Sequence, residues 1–149
     1  MRKLCLRPMG EKDLTQVMQI EKDTFFDPWN YPLYRDCLQL ASCWVLEQNG
    51  VVHAYGVISM EGTEAHILNL CVRSQSRRHG LGRRMLVHLL NHAHGCGAEI
   101  VLLEVRLSNQ TAIELYYSMG FRKLAIRKAS YRTAQGREDA LVLATRFQD

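Results

Sequence analysis

Three consecutive strand-like segments in the middle of the chain place the strongest constraint on its fold. SCWVLEQ (42–48) and VVHAYGVISM (51–60) flank Asn49-Gly50, and EGT then leads into EAHILNLCV (64–72). An Asn-Gly pair between two apolar runs is the strongest short signal for a hairpin, because the favoured turn needs positive φ at both positions. The three segments therefore predict an antiparallel meander, which any fold of this chain must contain.

A helix and a further strand follow the meander. From Leu81 the apolar residues recur at helical spacing, and this pattern stops near Gly95 and Gly97. EIVLLEVR (99–106) is almost entirely apolar, which favours a central strand. A strand-helix-strand connection within one sheet is a crossover and joins parallel strands. We therefore expect a mixed, mostly antiparallel sheet.

The rest of the chain supplies flanking elements. The order that we predict is β-α-α-β-β-β-α-β-α-β-β, an α/β (α+β) fold in one domain over 1–149. The remaining elements are a strand (3–8), a helix after the possible cap Asp13, an aromatic loop FFDPWNYP (25–32), a second helix (33–41), a helix from Ser108/Asn109 to Gly120, and a closing hairpin of about 121–130 and 137–147.

Composition excludes several classes of protein. Hydrophobic residues make up 47% of the chain and charged residues 23%, which excludes a disordered or fibrous protein. The formal net charge of +4 suits an acidic ligand but does not by itself predict nucleic-acid binding. No apolar run approaches the roughly 18–20 residues that cross a bilayer, and no apolar signal core follows the charged start, so neither a membrane protein nor export is predicted.

The cysteines indicate the compartment. The chain has five, an odd number, and none of them form a C-x-x-C pair. This pattern favours free, mostly buried thiols in a reducing environment, so we expect a cytoplasmic protein.

The stretch RSQSRRHGLGRRM (73–85) is the clearest candidate for a ligand site. Five arginines surround Gly80 and Gly82 directly before the helix that begins at Leu81. A helix N-terminus offers unpaired N–H groups and partial positive charge, and arginines can clamp phosphate oxygens. Glycine lets a ligand approach the backbone. The alternative is a loop with solvated arginines, but a phosphate site is favoured.

Two common phosphate motifs do not fit this stretch. A nucleotide P-loop needs G-x-x-x-x-G-K-[ST], which is absent from the sequence. A dinucleotide fold needs G-x-G-x-x-G directly after a strand, but here Met85 occupies the third glycine position and a meander precedes the turn. Arg77-Arg78-His79-Gly80-Leu81-Gly82 instead matches a third motif, R/Q-x-x-G-x-G/A at a helix start.

By this motif and the order of elements, the chain resembles the GCN5-related N-acetyltransferase (GNAT) family over its whole length. LLEVRLSNQTAIELYYSMGF (102–121) and RKASYRTAQGREDALVL (127–143) are also similar to the RimI-type branch, which acetylates the N-terminal alanine of a small-subunit ribosomal protein. The resemblance implies that acetyl-CoA is the co-substrate and a protein N-terminus the acceptor. It implies that the pyrophosphate is held by Arg77, Arg78, His79, Gly80, Leu81, Gly82 and Arg83.

Glu104 and Tyr116 are the candidate catalytic residues. An amine must lose a proton before it attacks a thioester, and the departing thiolate must gain one. Glu104 is a lone acid in an apolar strand, where loss of solvent would strengthen it as a base; the alternative is a pair with Arg106 or a solvated carboxylate. The resemblance places the base at Glu104 and selects Tyr116 as the acid. Tyr117 points about 100° away and should only pack.

Other cofactor contacts follow from the resemblance. It implies a β-bulge at Leu70-Cys71-Val72, whose main-chain N–H groups face the acetyl carbonyl and the pantetheine arm. It also implies that Asn109, a probable helix cap, contacts the cofactor. Cys71 raises the alternative of an acetyl-cysteine intermediate, but the pattern places no base beside it, and a buried strand cysteine is usually inert.

The acceptor would lie between the aromatic loop and the 130–138 hairpin loop. Candidate contacts for a peptide and its amine are Trp29, Tyr31, Tyr131, Glu138 and Asp139; packing and a solvated loop are the alternatives. Ser130 and Arg132 stand where RimI-type proteins tend to have Tyr and Pro. The alternative acceptors are therefore a lysine side chain or a small amine. A non-catalytic acyl-CoA-binding module is a further alternative.

No metal site is predicted. His88 and His92 are spaced i, i+4, but we expect them on a solvated helix face without a third ligand. The arginines lack interleaved aromatics, so no direct nucleic-acid contact and no membrane partner is expected. We expect a monomer or a weak dimer.

Overall fold

The computed structural model describes residues 3–148 and contains one seven-stranded sheet. Its strand order is β1-β2-β3-β4-β5-β7-β6, and the pairing is antiparallel except between β4 and β5. The elements are β1 Cys5–Pro8, α1 Leu14–Thr24, α2 Tyr31–Leu40, β2 Ser42–Gln48, β3 Val51–Glu61, β4 Glu64–Val72, α3 Leu81–Gly95, β5 Ile100–Arg106, α4 Gln110–Ser118, β6 Arg122–Thr133 and β7 Gly136–Arg146, with short 3-10 turns at Glu11–Asp13 and Ser74–Ser76. The predicted class, sheet and element order are confirmed.

Several boundaries differ from the prediction by one to three residues; β1, for example, begins at Cys5 instead of residue 3. Helix α2 begins at Tyr31 instead of residue 33, because the Asn30 side chain accepts a hydrogen bond from the Leu33 N–H and Pro32 suits the first turn. The closing hairpin is longer than expected: β6 reaches Thr133 and β7 starts at Gly136, so most of the predicted 130–138 loop is strand.

The parallel pair is short, and this creates the main opening in the sheet. β4 pairs with β5 only from Glu64 to Ile67, opposite Ile100–Leu103. Beyond these residues β5 continues beside β7, while β4 continues beside β3. The ends of β4 and β5 therefore have no mutual hydrogen bonds and leave space between them.

Apolar packing covers both faces of the sheet. Helices α3 and α4 bury Met85, Leu86, Leu89, Ile113 and Tyr116 on one face. Helices α1 and α2 bury Leu14, Val17, Ile20, Tyr34 and Cys37 on the other. The apolar stripe predicted from Leu81 onwards thus faces one side of the sheet, and the apolar residues of α1 face the other. In residues 3–148, no helix has the length and apolarity needed to cross a bilayer.

Candidate active site

Two clefts meet where β4 and β5 separate. The larger has a volume of about 1230 Å³ and lies beside the N-terminus of α3. The smaller, of about 580 Å³, lies between the aromatic loop and the β6–β7 hairpin. Among the described residues 3–148, six line both clefts: Phe25, Leu70, Arg106, Asn109, Ala112 and Tyr116. A molecule in one cleft would therefore contact a molecule in the other at this junction.

The arginine-glycine turn forms one wall of the larger cleft. Gly80 has a φ of 75° and caps α3 without any side-chain hydrogen bond, so the first N–H groups of the helix have no side-chain acceptor. The Arg77 Nε donates to the Val72 carbonyl over 3.2 Å, which holds this arginine against β4. Such a turn offers backbone donors and positive charge to an anion.

Most of the predicted phosphate residues line this cleft. They are Arg77, Arg78, Gly80, Leu81, Gly82 and Arg83, whereas His79 is exposed and does not line it. Arg78 has a φ of 68°, a left-handed conformation that is unusual for arginine. The Arg83 Nη2 donates to the Ser118 Oγ at 2.8 Å, which links the start of α3 to α4.

Residues Leu70, Cys71 and Val72 line the larger cleft, but the bulge lies elsewhere. Val57 pairs with Asn69 and Ile58 pairs with Ile67, so Leu68 is the extra residue in β4. The predicted bulge position at 70–72 is therefore wrong by at least two residues. The Leu70 N–H donates to the Asn69 Oδ1 over 3.0 Å.

Cys71 has the properties of a buried structural thiol. Its side chain is buried, and its Sγ lies 3.5 Å from the Thr24 Oγ1. Burial raises the pKa of the Cys71 thiol, which keeps the sulfur protonated at neutral pH. A protonated thiol is a poor nucleophile, so this environment opposes an acetyl-cysteine intermediate.

Glu104 faces the smaller cleft, but it is not desolvated. One-third of its side chain is exposed, because β4 diverges at this level and leaves the carboxylate uncovered. The Arg127 Nη1 lies 3.4 Å from its Oε2, and the Ser130 Oγ donates to its Oε1 over 3.4 Å. The expected loss of solvent is therefore wrong, and so is the alternative pair with Arg106, which binds Glu138 at 3.2 Å.

Tyr116 and Tyr117 point in different directions on α4. Tyr116 is buried and lines both clefts, whereas 38% of Tyr117 is exposed and it lines neither. Burial raises the pKa of the Tyr116 phenol, so the hydroxyl keeps its proton well above neutral pH. Asn109 caps α4 by accepting a hydrogen bond from the Ala112 N–H over 3.3 Å, and it also lines both clefts.

The candidate acceptor residues separate into different places. Trp29 and Tyr131 line the smaller cleft, and the Tyr131 hydroxyl donates to the Glu104 carbonyl over 3.2 Å. Tyr31 instead hydrogen-bonds Glu11 and does not line either cleft. Glu138 lines the larger cleft, where it pairs with Arg106 and accepts from Ser108.

Asp139 lies outside both clefts. Its Oδ1 accepts from the Ala129 N–H over 2.8 Å, and Lys128 lies 4.0 Å from its Oδ2. Ala129 has a φ of 51° within the irregular part of β6 between Arg127 and Tyr131. Asp139 therefore supports the bulged segment that carries Ser130 towards Glu104.

The helix face with the histidines is not simply solvated. The His88 and His92 rings pack edge-on against Trp44, with centroids 4.3 and 5.5 Å away. The His92 Nε2 also lies 3.0 Å from the Ser42 Oγ. The expectation of a solvated face is wrong, because β2 presents an aromatic ring to this side of α3. Within residues 3–148, no three His, Cys, Asp or Glu side chains are grouped to hold a metal ion.

Several residues around the clefts were not predicted as site residues from the sequence. Arg127 and Ser130 contact Glu104, Arg132 lies 3.8 Å from Asp27 across the smaller cleft, and Glu21 lies at the floor of that cleft. One of them carried a signal in the sequence. Glu21 stands seven residues after Leu14 on the apolar stripe of α1, where a carboxylate is out of place.

Known proteins with similar sequences share this fold. The acetyltransferase (GNAT) family matches residues 14–121. The [ribosomal protein bS18]-alanine N-acetyltransferase of Escherichia coli strain K12 is 35% identical over 133 residues, which cover 89% of this chain and 90% of the relative. The crystal structure of the ribosomal-protein-S18-alanine N-acetyltransferase from Escherichia coli superimposes with a TM-score of 0.91 and 32% identity, covering 99% and 96% of the two chains.

A second solved structure has the same fold. Ard1 from Thermoplasma volcanium has a TM-score of 0.91 at 26% identity and covers 98% of this chain and 99% of its own. The family predicted from the Arg77–Gly82 motif, and the similarity to its RimI-type branch, are confirmed. The chain belongs to the acetyltransferase (GNAT) family.

Proposed function

We propose that this protein transfers the acetyl group of acetyl-CoA to the N-terminal α-amine of a protein, and that the acceptor is the N-terminal alanine of ribosomal protein bS18. The observation that carries the proposal is the junction of two clefts at Tyr116, with the arginine-glycine turn in the larger cleft and Glu104 in the smaller. The named activity of the Escherichia coli relative, at 35% identity, supports the choice of acceptor.

The larger cleft fits coenzyme A. Its uncapped helix N-terminus and arginines suit a pyrophosphate, and a volume of about 1230 Å³ is ample for an extended cofactor arm. Leu70, Cys71, Val72 and Asn109 would contact the arm and the thioester, since all four line this cleft. The chemistry needs no metal ion.

Glu104 and Tyr116 would carry the two proton transfers. The acceptor amine loses a proton to Glu104, directly or through water, and its nitrogen lone pair attacks the thioester carbonyl carbon. The carbon–sulfur bond then breaks, the Tyr116 hydroxyl protonates the departing thiolate, and the second proton that the nitrogen loses as the amide forms restores the Tyr116 hydroxyl. A phenol whose pKa is raised by burial holds this proton until the thiolate forms. No acyl-enzyme is formed, in keeping with the protonated Cys71.

The smaller cleft would bind the acceptor peptide. Trp29 and Tyr131 provide aromatic walls, and Glu104 attracts the charged amine. The approaching ammonium would compete with Arg127 for the Glu104 carboxylate. We place the reaction in the cytoplasm, where free cysteines are kept reduced.

The proposal is tested by free thiol released from acetyl-CoA in the presence of a peptide that begins with alanine. The matched control is the same peptide with its N-terminus acetylated and one lysine added. Thiol release with the first peptide alone, and mass-spectrometric location of the acetyl group on the α-amine, support the proposal. Release only with the lysine peptide or a polyamine would assign a different acceptor, and cofactor binding without release for any amine would favour a non-catalytic module.

A further inference from the structure

Glu21 is a buried charged group that the proposed chemistry does not use. It lies on α1, only 2% of it is exposed, and it lines the floor of the smaller cleft. Burying a carboxylate costs several kcal/mol unless hydrogen bonds or a charge partner compensate. The hydrogen-bond partners of Glu21 therefore show how the fold compensates this cost.

Four donors from four different parts of the chain surround this carboxylate. Its Oε1 accepts from the hydroxyls of Tyr34 at 2.9 Å and Tyr55 at 2.5 Å and from the Asn69 Nδ2 at 2.9 Å. Its Oε2 accepts from the main-chain N–H of Trp29 at 3.0 Å. The residues belong to α2, β3, β4 and the aromatic loop, respectively.

The arrangement uses both oxygens as acceptors. Three of the four donors converge on Oε1, which shares its two lone pairs among them, while Oε2 accepts a single hydrogen bond. Within residues 3–148, no lysine, arginine or histidine forms an ion pair with Glu21, so these hydrogen bonds are its compensation. The relative positions of the four partners therefore depend on one group, the Glu21 carboxylate.

Two of the four partners belong to different walls of the smaller cleft, the aromatic loop and the end of β4. Trp29 belongs to the aromatic loop, and Asn69 belongs to β4 directly after the bulged Leu68. The Asn69 amide is oriented from both ends, because its Nδ2 donates to Glu21 and its Oδ1 accepts the Leu70 N–H. Leu70 lines the junction of the two clefts. Glu21 thus connects the loop wall, the strand wall and the junction.

We propose that Glu21 is a positioning residue for the acceptor, which fixes the shape of the smaller cleft by holding the Trp29 loop to the Asn69 end of β4. This inference rests on the proposed function, since it assigns that cleft to the acceptor peptide. It concerns binding of the acceptor and leaves both the cofactor and the proton transfers to other residues.

Glu21→Gln tests the inference because the amide cannot satisfy all four donors. If its oxygen faces the three donors on one side, its NH₂ group faces the Trp29 N–H, and two donors oppose each other. The loop wall is then released while the Asn69 contact persists. We expect the KM for the alanine peptide to rise about tenfold or more, with kcat within about threefold of wild type and the acetyl-CoA Kd within about twofold.

Amide hydrogen exchange gives a second readout. The Trp29 N–H is the group that Glu21 accepts, so its exchange in Glu21→Gln should accelerate about tenfold or more. Tyr55→Phe is the matched control: it removes one donor from the same carboxylate, but Tyr55 lines neither cleft. We expect Tyr55→Phe to lower the melting temperature without changing the peptide KM or the Trp29 exchange.

The outcomes separate this inference from the proposed function. If wild type does not acetylate the peptide, the proposed function fails and the assignment of the cleft fails with it. If wild type is active and Glu21→Gln has the same peptide KM, or if Tyr55→Phe raises the KM equally, only the positioning role is overturned. Should Glu21→Gln not fold, Asn69→Ser severs the strand contact instead, and an unchanged peptide KM in that variant overturns the inference.

Discussion

At the scale of single residues, the two candidate proton-transfer groups occupy opposite environments. Glu104 is one-third exposed and contacts a cation, whereas Tyr116 is buried between the two clefts. An exposed carboxylate can be reached by an incoming amine, and a buried phenol keeps its proton. Glu104 is therefore accessible to an incoming amine and Tyr116 is protonated, as their proposed roles of base and acid require.

Glu104→Gln should lower kcat about 100-fold or more while leaving acetyl-CoA binding nearly intact. The amide keeps the shape of the side chain but cannot accept a proton from the ammonium, and general base catalysis typically contributes about 10²–10⁴-fold. The measurement is thiol release under saturating peptide, together with the acetyl-CoA Kd by calorimetry. A large loss of cofactor affinity with normal turnover would contradict the role of Glu104 as the base.

Tyr116→Phe should lower kcat about tenfold or more, because the departing thiolate then lacks its proton donor. Tyr117→Phe is the control on the next residue of α4, where the ring is 38% exposed and lines neither cleft. Single-turnover rates of the two variants should differ by the same factor. Equal rates would assign the proton to another donor.

At the scale of elements, the first turn of α3 and the separation of β4 from β5 form the larger cleft. Gly82 lies in the first turn of α3, and a methyl group there would meet Leu115 Cδ2 at 3.5 Å and Val72 Cγ2 at 3.6 Å. These are ordinary contact distances, so the first added carbon fits. Any longer side chain would extend into the cleft that Leu115 and Val72 line.

Gly82→Leu should therefore weaken acetyl-CoA binding about 100-fold or more, because the leucine side chain would occupy the space in which the cofactor approaches the backbone of α3. Gly82→Ala should fold normally and have an intermediate effect, since its methyl group clashes with nothing in the protein. Titration calorimetry with acetyl-CoA measures the affinities, and thermal unfolding shows whether the fold is retained. Wild-type affinity in a folded Gly82→Leu variant would place the cofactor elsewhere.

At the scale of the whole molecule, an ion pair ties the edge of the sheet to the first helical segment. Arg7 on β1 donates to both Asp13 oxygens over 2.8 Å, and the Gly10 N–H donates to the Asp13 Oδ2 over 2.8 Å. Asp13 is buried, so its contacts are shielded from water. The hydrogen bonds from Arg7 lower the pKa of the Asp13 carboxyl below its ordinary value.

This pair predicts a pH-dependent contribution to stability. Because the pKa is lower in the folded state, the contribution is complete above the unfolded value of about 3.9 and disappears as pH falls through the folded value. At pH 7, Asp13→Asn should reduce the free energy of unfolding by about 2 kcal/mol. Chemical denaturation should show a smaller difference between variant and wild type at pH 2.5, and an equal difference at both pH values would contradict the prediction.

Most of the fold follows from local signals. Asn49-Gly50 fixes the register of a hairpin, and the stripe from Leu81 fixes the face that α3 buries. Boundaries were less accurate where the signal was not local. The stretch of β6 between Arg127 and Tyr131 is irregular, and β6 pairs with β7 on both sides of it. Because this pairing joins segments that are apart in the sequence, the sequence of the stretch by itself resembles a loop.

The sequence by itself determined the elements, their order and the arginine-glycine turn, because turn residues and apolar periodicity act between neighbours in the chain. The tertiary structure alone decided that Glu104 is exposed and paired with Arg127, that the bulge is at Leu68, and that Glu21 accepts hydrogen bonds from both the aromatic loop and β4. Each of these depends on where β4 leaves β5 and on segments distant in sequence. Solvent exposure and hydrogen-bond partners are properties of such packing, and no local pattern contains them.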